Sequence, residues 1–247
     1  MKTNFIQIKN VILAVLFSVI LCTTAKAGDD PKNVVKLNLF SLAAKSISLQ
    51  YERAFTPQIS ACMGINYIAN RGLPSFFTNA DPSGILKGLT MSGLAITPEF
   101  RWYPFNSDKD APKGFYLAPY FRYLSFGMKS IVNFHDSTSN VDYTYPVKIK
   151  FTGYGAGLMI GKQWLINDKV SIDWWIIGGH YGASNLSVSV TADVSNIDQS
   201  DLKKQLDDVK LPIGTTVATV NNNGATLKVS GLPFAGLRTG LTIGFAF

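Results

Sequence analysis

Seven charged residues stand at alternating positions within segments that are otherwise largely apolar. They are Lys36, Glu52, Glu99, Arg101, Arg122, Asp173 and Arg238. Successive side chains of a β-strand point to opposite faces, so these residues would share the face opposite the apolar one. Four cations and three anions nearly balance, as a closed network of ion pairs requires. The alternative is the lining of a water-filled pore.

The width of the surrounding fold decides between these two arrangements. If the strands close into a barrel of eight, the interior is only wide enough for side chains to fill it. We therefore interpret the seven residues as a lumen charge network that plugs the barrel, with a narrow channel as the alternative. On this interpretation, Arg122→Ala destabilises the folded barrel and leaves ion selectivity unchanged.

The chain has two histidines, and neither forms a clear catalytic motif. His135 stands beside Asp136 in a predicted outer loop. His180 falls on the apolar face of a predicted strand, close in sequence to Ser184 and Ser187. A serine nucleophile needs a base within hydrogen-bond reach and a group that orients that base. Outer-membrane lipid A deacylases use such a pair on a barrel surface, but the sequence fixes neither distance, so we expect no catalytic residue.

Metal and cofactor binding find no support in the residue pattern. The two histidines are far apart in the sequence, and Cys62 is the one cysteine outside the predicted signal peptide at 1–27. These residues form no ligand cluster. Gly153-x-Gly-x-Gly157 lies inside a predicted strand with no helix after it, so it is not a phosphate-binding loop. We expect no cofactor, no metal and no cofactor-binding residue.

Eight segments with one apolar and one polar or small face are predicted to be the strands that position these residues. They lie near 33–41, 45–55, 58–69, 93–103, 114–125, 150–164, 169–183 and 229–247. In the last segment, Leu237, Leu241, Ile243, Phe245 and Phe247 share one face. This pattern resembles the closing strand of bacterial outer-membrane barrels, in which the terminal aromatics, Phe245 and Phe247 here, belong to the assembly signal.

Three features favour a membrane barrel over a soluble sandwich. Charges on the apolar faces (Lys45, Arg53 and Lys162) occur only near strand ends, where a bilayer tolerates them. Aromatic residues recur near the same ends, as in interfacial girdles, at Tyr67, Trp102, Tyr103, Tyr123, Tyr154 and Trp164. Short turns alternate with long connections near 70–92, 126–149 and 184–228. The short turns and both termini would face the periplasm and the long loops the exterior.

Some details of this arrangement are left as expectations. Pro98 and Pro119 lack the N–H of a strand ladder, so we expect bulges there. The connection at 184–228 is predicted to hold a short helix across 196–209 that packs on the barrel rim. The runs 186–190 and 226–229 could instead extend strands around a turn at 221–224, giving a protruding sheet edge for another chain.

The first 27 residues are predicted to be a cleaved signal peptide. Basic residues precede an apolar run at 11–21 that is much shorter than the ~20 residues of a spanning helix. Ala25-Lys26-Ala27 supplies the cleavage pattern. Removal of 1–27 leaves 20 basic and 16 acidic residues, a net charge of about +4, which does not indicate nucleic acid. Residues 28–247 are then one barrel domain.

The strand segments carry a resemblance to a known family. Val35–Leu39, Ile47–Arg53, Ile96–Tyr103, Gly114–Tyr123 and the last strand resemble small eight-stranded outer-membrane proteins of the OmpX/OmpA type. More closely, they resemble a Bacteroidota outer-membrane barrel family without an assigned function, the DUF3575 type. The resemblance implies a fold and a location and transfers no catalytic residue.

The sequence therefore predicts an all-β protein: an eight-stranded antiparallel transmembrane up-and-down barrel in the outer membrane of a Gram-negative cell. Its expected role is structural or recognitional at the cell surface. Expected partners are outer-membrane lipid, the barrel-assembly machinery, and a cell-surface protein or glycan that contacts the outer loops. A lipid-modifying enzyme that uses His180 and a narrow channel are the alternatives.

Overall fold

The computed structural model describes residues 32–73, 79, 88–105, 111–136, 141–195, 198–208 and 213–247. The predicted signal peptide at 1–27 lies outside the described residues, as do most of the predicted loop at 70–92 and both ends of the helix predicted across 196–209. No helix within these ranges is long and apolar enough to cross a membrane.

The elements follow one another along the chain as strands with two intervening helices in the described ranges. They are β1 (Asn33–Asn38), α1 (Leu39–Ala43), β2 (Ile47–Thr56), β3 (Ile59–Gly72), β4 (Thr90–Trp102), β5 (Gly114–Asp136), β6 (Val141–Ile166), β7 (Val170–Thr191), α2 (Gln199–Asp207), β8 (Thr215–Asn221), β9 (Gly224–Pro233) and β10 (Gly236–Ala246).

Eight of the described strands close into an antiparallel barrel. Each strand from β1 to β6 pairs with the next, and β10 pairs with both β7 and β1. The seam is held in register by Val35 opposite Phe245. At its end the Asn33 N–H donates to the Phe247 carbonyl at 2.9 Å, and the Phe247 N–H donates to the Asn33 carbonyl at 2.8 Å. The predicted eight-stranded antiparallel barrel is confirmed.

The first strand is shorter than predicted because a helix begins at its end. The Asn38 side chain accepts a hydrogen bond from the Ser41 N–H at 3.1 Å and caps α1. Leu39 continues the alternation of the strand in sequence, but it begins this helix. The predicted strand at 33–41 therefore ends at Asn38.

The sheet of the barrel continues beyond the end opposite the chain termini. β5 and β6 remain paired as far as Asp136 opposite Val141, so the loop predicted at 126–149 is wrong. β9 continues the line of β10 along the upper half of β7, and β8 pairs with the other edge of β9. We call this five-stranded extension the raised sheet. It contains 127–136 of β5, 141–153 of β6, 184–191 of β7, and all of β8 and β9.

The raised sheet corrects the predicted connection at 184–228. Leu186 lies opposite Val229 and Val188 opposite Leu227, which matches the strand extension considered from the sequence. The predicted strand at 229–247 is divided by residues 234–235 into the end of β9 and β10. α2 packs on the edge strand β8 instead of the barrel rim, and the Asp207 carboxylate accepts the Ala218 N–H at 2.9 Å.

The two prolines do not produce the expected bulges. Ile96 lies opposite Tyr123, Glu99 opposite Tyr120, and Trp102 opposite Leu117, so the register of β4 and β5 is unchanged across both prolines. The ladder skips pairs there because proline has no N–H to donate. The prolines weaken this seam without inserting a residue.

A bulge that the sequence did not indicate lies in β7. Ile160 of β6 faces Ile177, while the next residue, Gly161, faces Trp175, so Ile176 is the extra residue. The pairing of β7 with β10 shifts at the same level. Because side chains alternate along a strand, the bulge exchanges the two faces of β7 above it.

Candidate functional site: the lumen of the barrel

Six of the seven predicted lumen charges meet in one buried cluster. Arg101 lies at its centre, with its guanidinium 2.8 Å from Asp173, 2.8 Å from Glu99 and 3.3 Å from Glu52. Lys36 forms ion pairs with Glu52 and, at 2.8 Å, with Asp173. Arg238 joins the cluster through Glu99 at 3.0 Å. The side chains of Lys36, Glu52, Glu99, Arg101 and Asp173 are fully buried.

Neutral polar side chains complete the hydrogen bonding of these charges. The Tyr103 hydroxyl donates to Glu52 at 2.7 Å, and the Tyr116 hydroxyl donates to Asp173 at 2.8 Å. The Gln163 carbonyl oxygen accepts from Lys36 at 2.7 Å and from Arg101 at 3.1 Å. We call the six charges together with Tyr103, Tyr116 and Gln163 the plug.

The plug spans the cross-section of the barrel near the end that carries the short turns. It draws side chains from β1, β2, β4, β5, β6, β7 and β10 and from the residue after β4. Buried charges are costly to desolvate, and a cluster of this kind persists because each member is paired and hydrogen-bonded. The arrangement can therefore close the lumen and fix the register of strands that are distant in sequence.

Glycines on β6 make room for the aromatic members of the lumen. A Cβ on Gly161 would lie 2.3 Å from the Tyr116 hydroxyl oxygen, and one on Gly157 would lie 2.7 Å from the Tyr120 ring. These distances are too short for any side chain. Gly157 and Gly161 thus allow tyrosines to cross a narrow lumen.

The neutral plug members were missed in the sequence, although their positions carry a signal. Tyr103 was assigned to an interfacial girdle, but its side chain is fully buried in the lumen. It continues the inward-facing series of Glu99 and Arg101 at a spacing of two residues. Gln163 likewise shares the inward face of β6 with Gly161.

Arg122 is the one predicted lumen charge that the plug does not include. Its guanidinium is 3.5 Å from the Thr97 hydroxyl, and no ion pair joins it to a carboxylate of the described residues. It lines a cavity of about 300 Å³ above the plug. The residues around that cavity are Asn38, Ser48, Gln50, Gly64, Asn66, Thr97, Arg122, Trp175, Leu237, Arg238 and Thr239. The expectation that Arg122 supports the ion-pair network is therefore wrong.

The bulge in β7 places His180 on the inner face, which corrects its predicted position on the apolar face. Its Nδ1 is 3.2 Å from the Tyr120 hydroxyl, and its ring lies 4.7 Å from the ring of Phe234. Ser184 is buried and donates to the carbonyl of Leu232 at 3.2 Å. Among the described residues, His180 and Ser184 therefore bond to Tyr120 and to the Leu232 carbonyl, and not to each other. The side chain of His135 lies outside the described part of the structure.

No group of three or more histidine, cysteine or acidic side chains in the described ranges is placed to hold a metal ion.

Large apolar side chains cover the outside of the barrel. Phe100, Trp102 and Phe121 are each close to half exposed, as is Phe245, whose ring stacks on Phe247 at 6.5 Å. Further exposed residues of this surface are Ile47, Tyr51, Met63, Ile65, Tyr67, Leu94, Phe115, Tyr123, Tyr154, Leu158, Ile160, Trp164, Trp174, Ile177 and Ile243. The Lys162 ammonium lies over the rings of Phe115 at 4.5 Å and Trp164 at 5.2 Å.

The barrel has an apolar exterior and an ion-paired lumen. This distribution of polar and apolar side chains, the reverse of that in a soluble protein, defines a class of closed antiparallel β-barrels. The chain belongs to the family described as "Protein of unknown function (DUF3575)", whose profile matches residues 11–214. No curated protein matches the chain. Among solved structures, it is similar to a major outer membrane protein from Thermus thermophilus. The two share 13% identity and a TM-score of 0.45, over 89% of this chain and 100% of the other.

Proposed function

We propose that the protein is an integral outer-membrane barrel, closed by its plug, that presents the raised sheet for recognition at the cell surface. The observation that carries the membrane location is the inverted distribution of side chains. Arg101 and Asp173 are fully buried, while Trp102 and Phe121 are about half exposed. In soluble proteins charged residues are almost never fully buried unless they are paired, and large apolar surfaces are covered, so the exposed apolar exterior is the stronger part of this observation.

The dimensions of the apolar surface fit a bilayer. Ten residues separate Trp164 and Tyr154 along β6, or about 34 Å at the usual rise of a strand. At the ~40–45° tilt of membrane barrels this corresponds to about 25 Å along the barrel axis, the height of a typical apolar band. A crossing strand needs only ~9–11 residues. β5, β6 and β7 have 23, 26 and 22 residues, so their upper halves stand outside this band.

The polarity of the two faces changes where the raised sheet begins. Along β6, Tyr154 and Leu158 point outward in the barrel, whereas Lys148 and Lys150 occupy the same face above them. Apolar residues take the opposite face, with Ile149 beside Val188. Lipid-facing residues therefore give way to charged ones just above Tyr154. This change supports an assignment of the raised sheet to the aqueous side of the membrane.

Lysines on the outer face of the raised sheet indicate an anionic partner. Lys129 and Lys148 lie directly opposite each other on β5 and β6, and both are exposed. Like charges directly opposite one another destabilise a sheet unless an anion lies between them. Lys150 and Lys228 flank Ser187 in the next row. We infer that this lysine face contacts phosphate groups of outer-membrane lipid.

The first experiment tests the barrel and its location together. Membranes are separated, and the mobility of the protein on gels is compared before and after boiling. Outer-membrane fractionation with a heat-dependent shift is expected, because a closed barrel resists unfolding by detergent. Recovery in the soluble periplasmic extract without a shift would contradict a membrane role.

Orientation is tested by single-cysteine labelling of intact cells with a membrane-impermeant maleimide. Lys148→Cys should be labelled from outside, and Lys169→Cys in the turn before β7 should be labelled only after the membrane is opened. Cys62 is a silent background because it is buried. The reverse labelling pattern would place the raised sheet in the periplasm.

The lysine face is tested by native mass spectrometry of the purified barrel. Lys129→Gln/Lys148→Gln should reduce the amount of bound lipid A, while Lys169→Gln should not. Equal lipid retention in all variants would exclude lipid A as the partner of this face.

A lipid-modifying enzyme is the second function considered from the sequence. His180 faces the lumen and contacts Tyr120, which does not favour a role at the lipid surface. We therefore expect His180→Ala to leave the structure of cellular lipid A unchanged. Lipid A that changes with this substitution would support the enzyme.

A further inference from the structure

We propose that the outer half of the lumen binds a small soluble anion, held by Arg122 and Arg238. The site is the cavity above the plug, and it is distinct from the lysine face on the outside of the raised sheet. The cavity, its charges and its unpartnered atoms do not depend on how the barrel is placed in a membrane.

The lumen carries one cation more than its carboxylates balance. Glu52 and Asp173 are both shared by Lys36 and Arg101, and Glu99 is shared by Arg101 and Arg238. Among the described residues, Arg122 pairs with no carboxylate. An anion bound beside Arg122 would neutralise this surplus charge, and the electrostatic attraction is stronger than in bulk water because Arg122 is partly buried.

Two buried polar atoms, which belong to residues that line the cavity, have no partner within the described structure. One is a terminal nitrogen of Arg238, Nη1, and the other is the carbonyl oxygen of the Gln50 side chain. Both side chains are more than nine-tenths buried. Buried donors and acceptors are nearly always satisfied, so two orphaned groups that line one cavity point to a bound group.

Both atoms are held in place by the contacts of the rest of their side chains. The Arg238 guanidinium lies between the rings of Tyr120 at 4.7 Å and Trp175 at 4.9 Å, and its other terminal nitrogen donates to Glu99. The Gln50 amide nitrogen donates to Glu99 at 3.3 Å. Because the amide nitrogen must face the carboxylate, the oxygen of Gln50 is the atom left for a ligand.

The chemistry of the lining specifies the ligand class. Guanidinium groups match carboxylate and phosphate oxygens, with which they form charge-assisted hydrogen bonds. The free oxygen of Gln50 requires a donor such as a hydroxyl group. Asn38, Ser48 and Asn66 add neutral polar contacts. A small hydroxylated carboxylate or phosphate, such as a uronic acid or a sugar phosphate, satisfies all of these groups.

The size and opening of the cavity suit a ligand from the aqueous side. A volume of about 300 Å³ corresponds to about ten water molecules. Arg122 and Asn66 are partly exposed, whereas Gln50 and Thr97 at the next level down are buried. The cavity therefore opens toward the raised sheet and is closed beneath by the plug.

Calorimetry on the full-length barrel in a maltoside detergent, without phosphate in the buffer, tests the proposal. The probes are galacturonate, galactose and orthophosphate. Galacturonate or orthophosphate should bind, and galactose, which lacks the carboxylate, should bind at least about tenfold more weakly. Binding of only one of the two anions identifies the oxyanion that the site prefers. If neither anion binds with a Kd below about 10 mM, the proposal is overturned.

Substitutions locate the binding. Arg122→Gln should weaken anion binding about tenfold or more, because it removes a charged donor and leaves the plug intact. Arg238→Gln should also weaken anion binding. If Arg238→Gln fails to fold, Arg238→Lys is used in its place; it keeps the charge near Glu99 and should weaken binding as well. Lys129→Gln/Lys148→Gln should retain full affinity. Unchanged binding in Arg122→Gln, or a loss confined to the lysine variant, would place the anion elsewhere and overturn the proposal.

Discussion

Removal of the Arg101 guanidinium is expected to cost the folded barrel about 4 kcal/mol at pH 7. In Arg101→Leu, three buried carboxylates face only Lys36 and Arg238, which leaves one uncompensated negative charge. The least costly response is for one carboxyl group to take up a proton. A glutamic acid in solution has a pKa of about 4.3. Each pH unit above this pKa adds about 1.4 kcal/mol to the free energy needed to keep the carboxyl group protonated. The result lies within the ~3–5 kcal/mol typical of a broken buried ion pair.

The same reasoning fixes the pH dependence. At pH 7 the folded variant binds one proton more than the unfolded chain, so its free energy of unfolding falls as the pH rises. The loss in free energy of unfolding, relative to wild type, should shrink to about 1 kcal/mol at pH 5. The measurement is urea unfolding of the purified barrel in lipid vesicles, followed by tryptophan fluorescence and by gel mobility.

Two further variants show whether charge is the cause. Arg101→Leu/Asp173→Asn removes the surplus carboxylate and should recover most of the loss and its pH dependence. Arg122→Leu removes an equivalent side chain outside the plug and should cost about 1 kcal/mol or less, because it gives up one long hydrogen bond. Equal losses in Arg101→Leu and Arg122→Leu, or a deficit that does not change with pH, would refute the reasoning.

Three further outcomes are expected. Gly161→Ala should cost about 1–3 kcal/mol in urea unfolding, because its methyl would lie 2.3 Å from a lumen tyrosine hydroxyl. Gly72→Ala, with no atom within 4 Å of its Cβ, should cost less than half as much. In nanodiscs, a fluorescent label on Tyr181→Cys should be quenched by brominated lipid and one on His180→Cys should not; the reverse would refute the bulge. The Asp198 carboxylate caps α2 by accepting the N–H groups of Ser200 and Asp201, so Asp198→Ala should speed trypsin cleavage of α2 several-fold, while Asp198→Asn keeps the cap. Hydrogen bonds from a serine and the backbone lower the pKa of Asp198, so the protection of α2 against hydrogen exchange, taken relative to the intrinsic exchange rate, should fall as the pH drops through this lowered pKa.

The strands were predictable because one rule governs the whole barrel. A residue pair such as Leu158 and Gly157 places one residue on the apolar outer surface and the next in a crowded lumen, and this alternation repeats along each strand. Charge placement followed from the same rule, since Lys36 and Asp173 occupy inward positions. Neither inference needs knowledge of contacts between distant segments.

The bulge at Ile176 could not be predicted because an isoleucine suits either face at that level. The alternation of β7 remains plausible with or without an inserted residue, and the error appears only at His180. The end of β1 was missed for a similar reason, because Leu39 fits both the strand pattern and the start of a capped helix.

The continuation of β5 and β6 into the raised sheet was missed because its polarity is opposite to that of the barrel. The pattern of Lys148 and Lys150 ends the apolar face of β6, which looks like the end of a strand. Alternation in fact continues through Ile149 and Phe151, with the faces exchanged. The separate role of Arg122 was also hidden, because ion-pair partners are set by strand neighbours that the sequence does not specify.

The closing pair of strands has a consequence for the order of assembly. β10 follows every other barrel strand along the chain, yet it alone joins β7 to β1. Lys36 on β1 reaches Asp173 on β7 only when that closure occurs, so the plug forms in the final step and its charges stay hydrated until then. A chain stalled before closure would be an open sheet with two unsatisfied edges and a wet, charged inner face. Complete pairing of the plug charges therefore requires closure of the barrel.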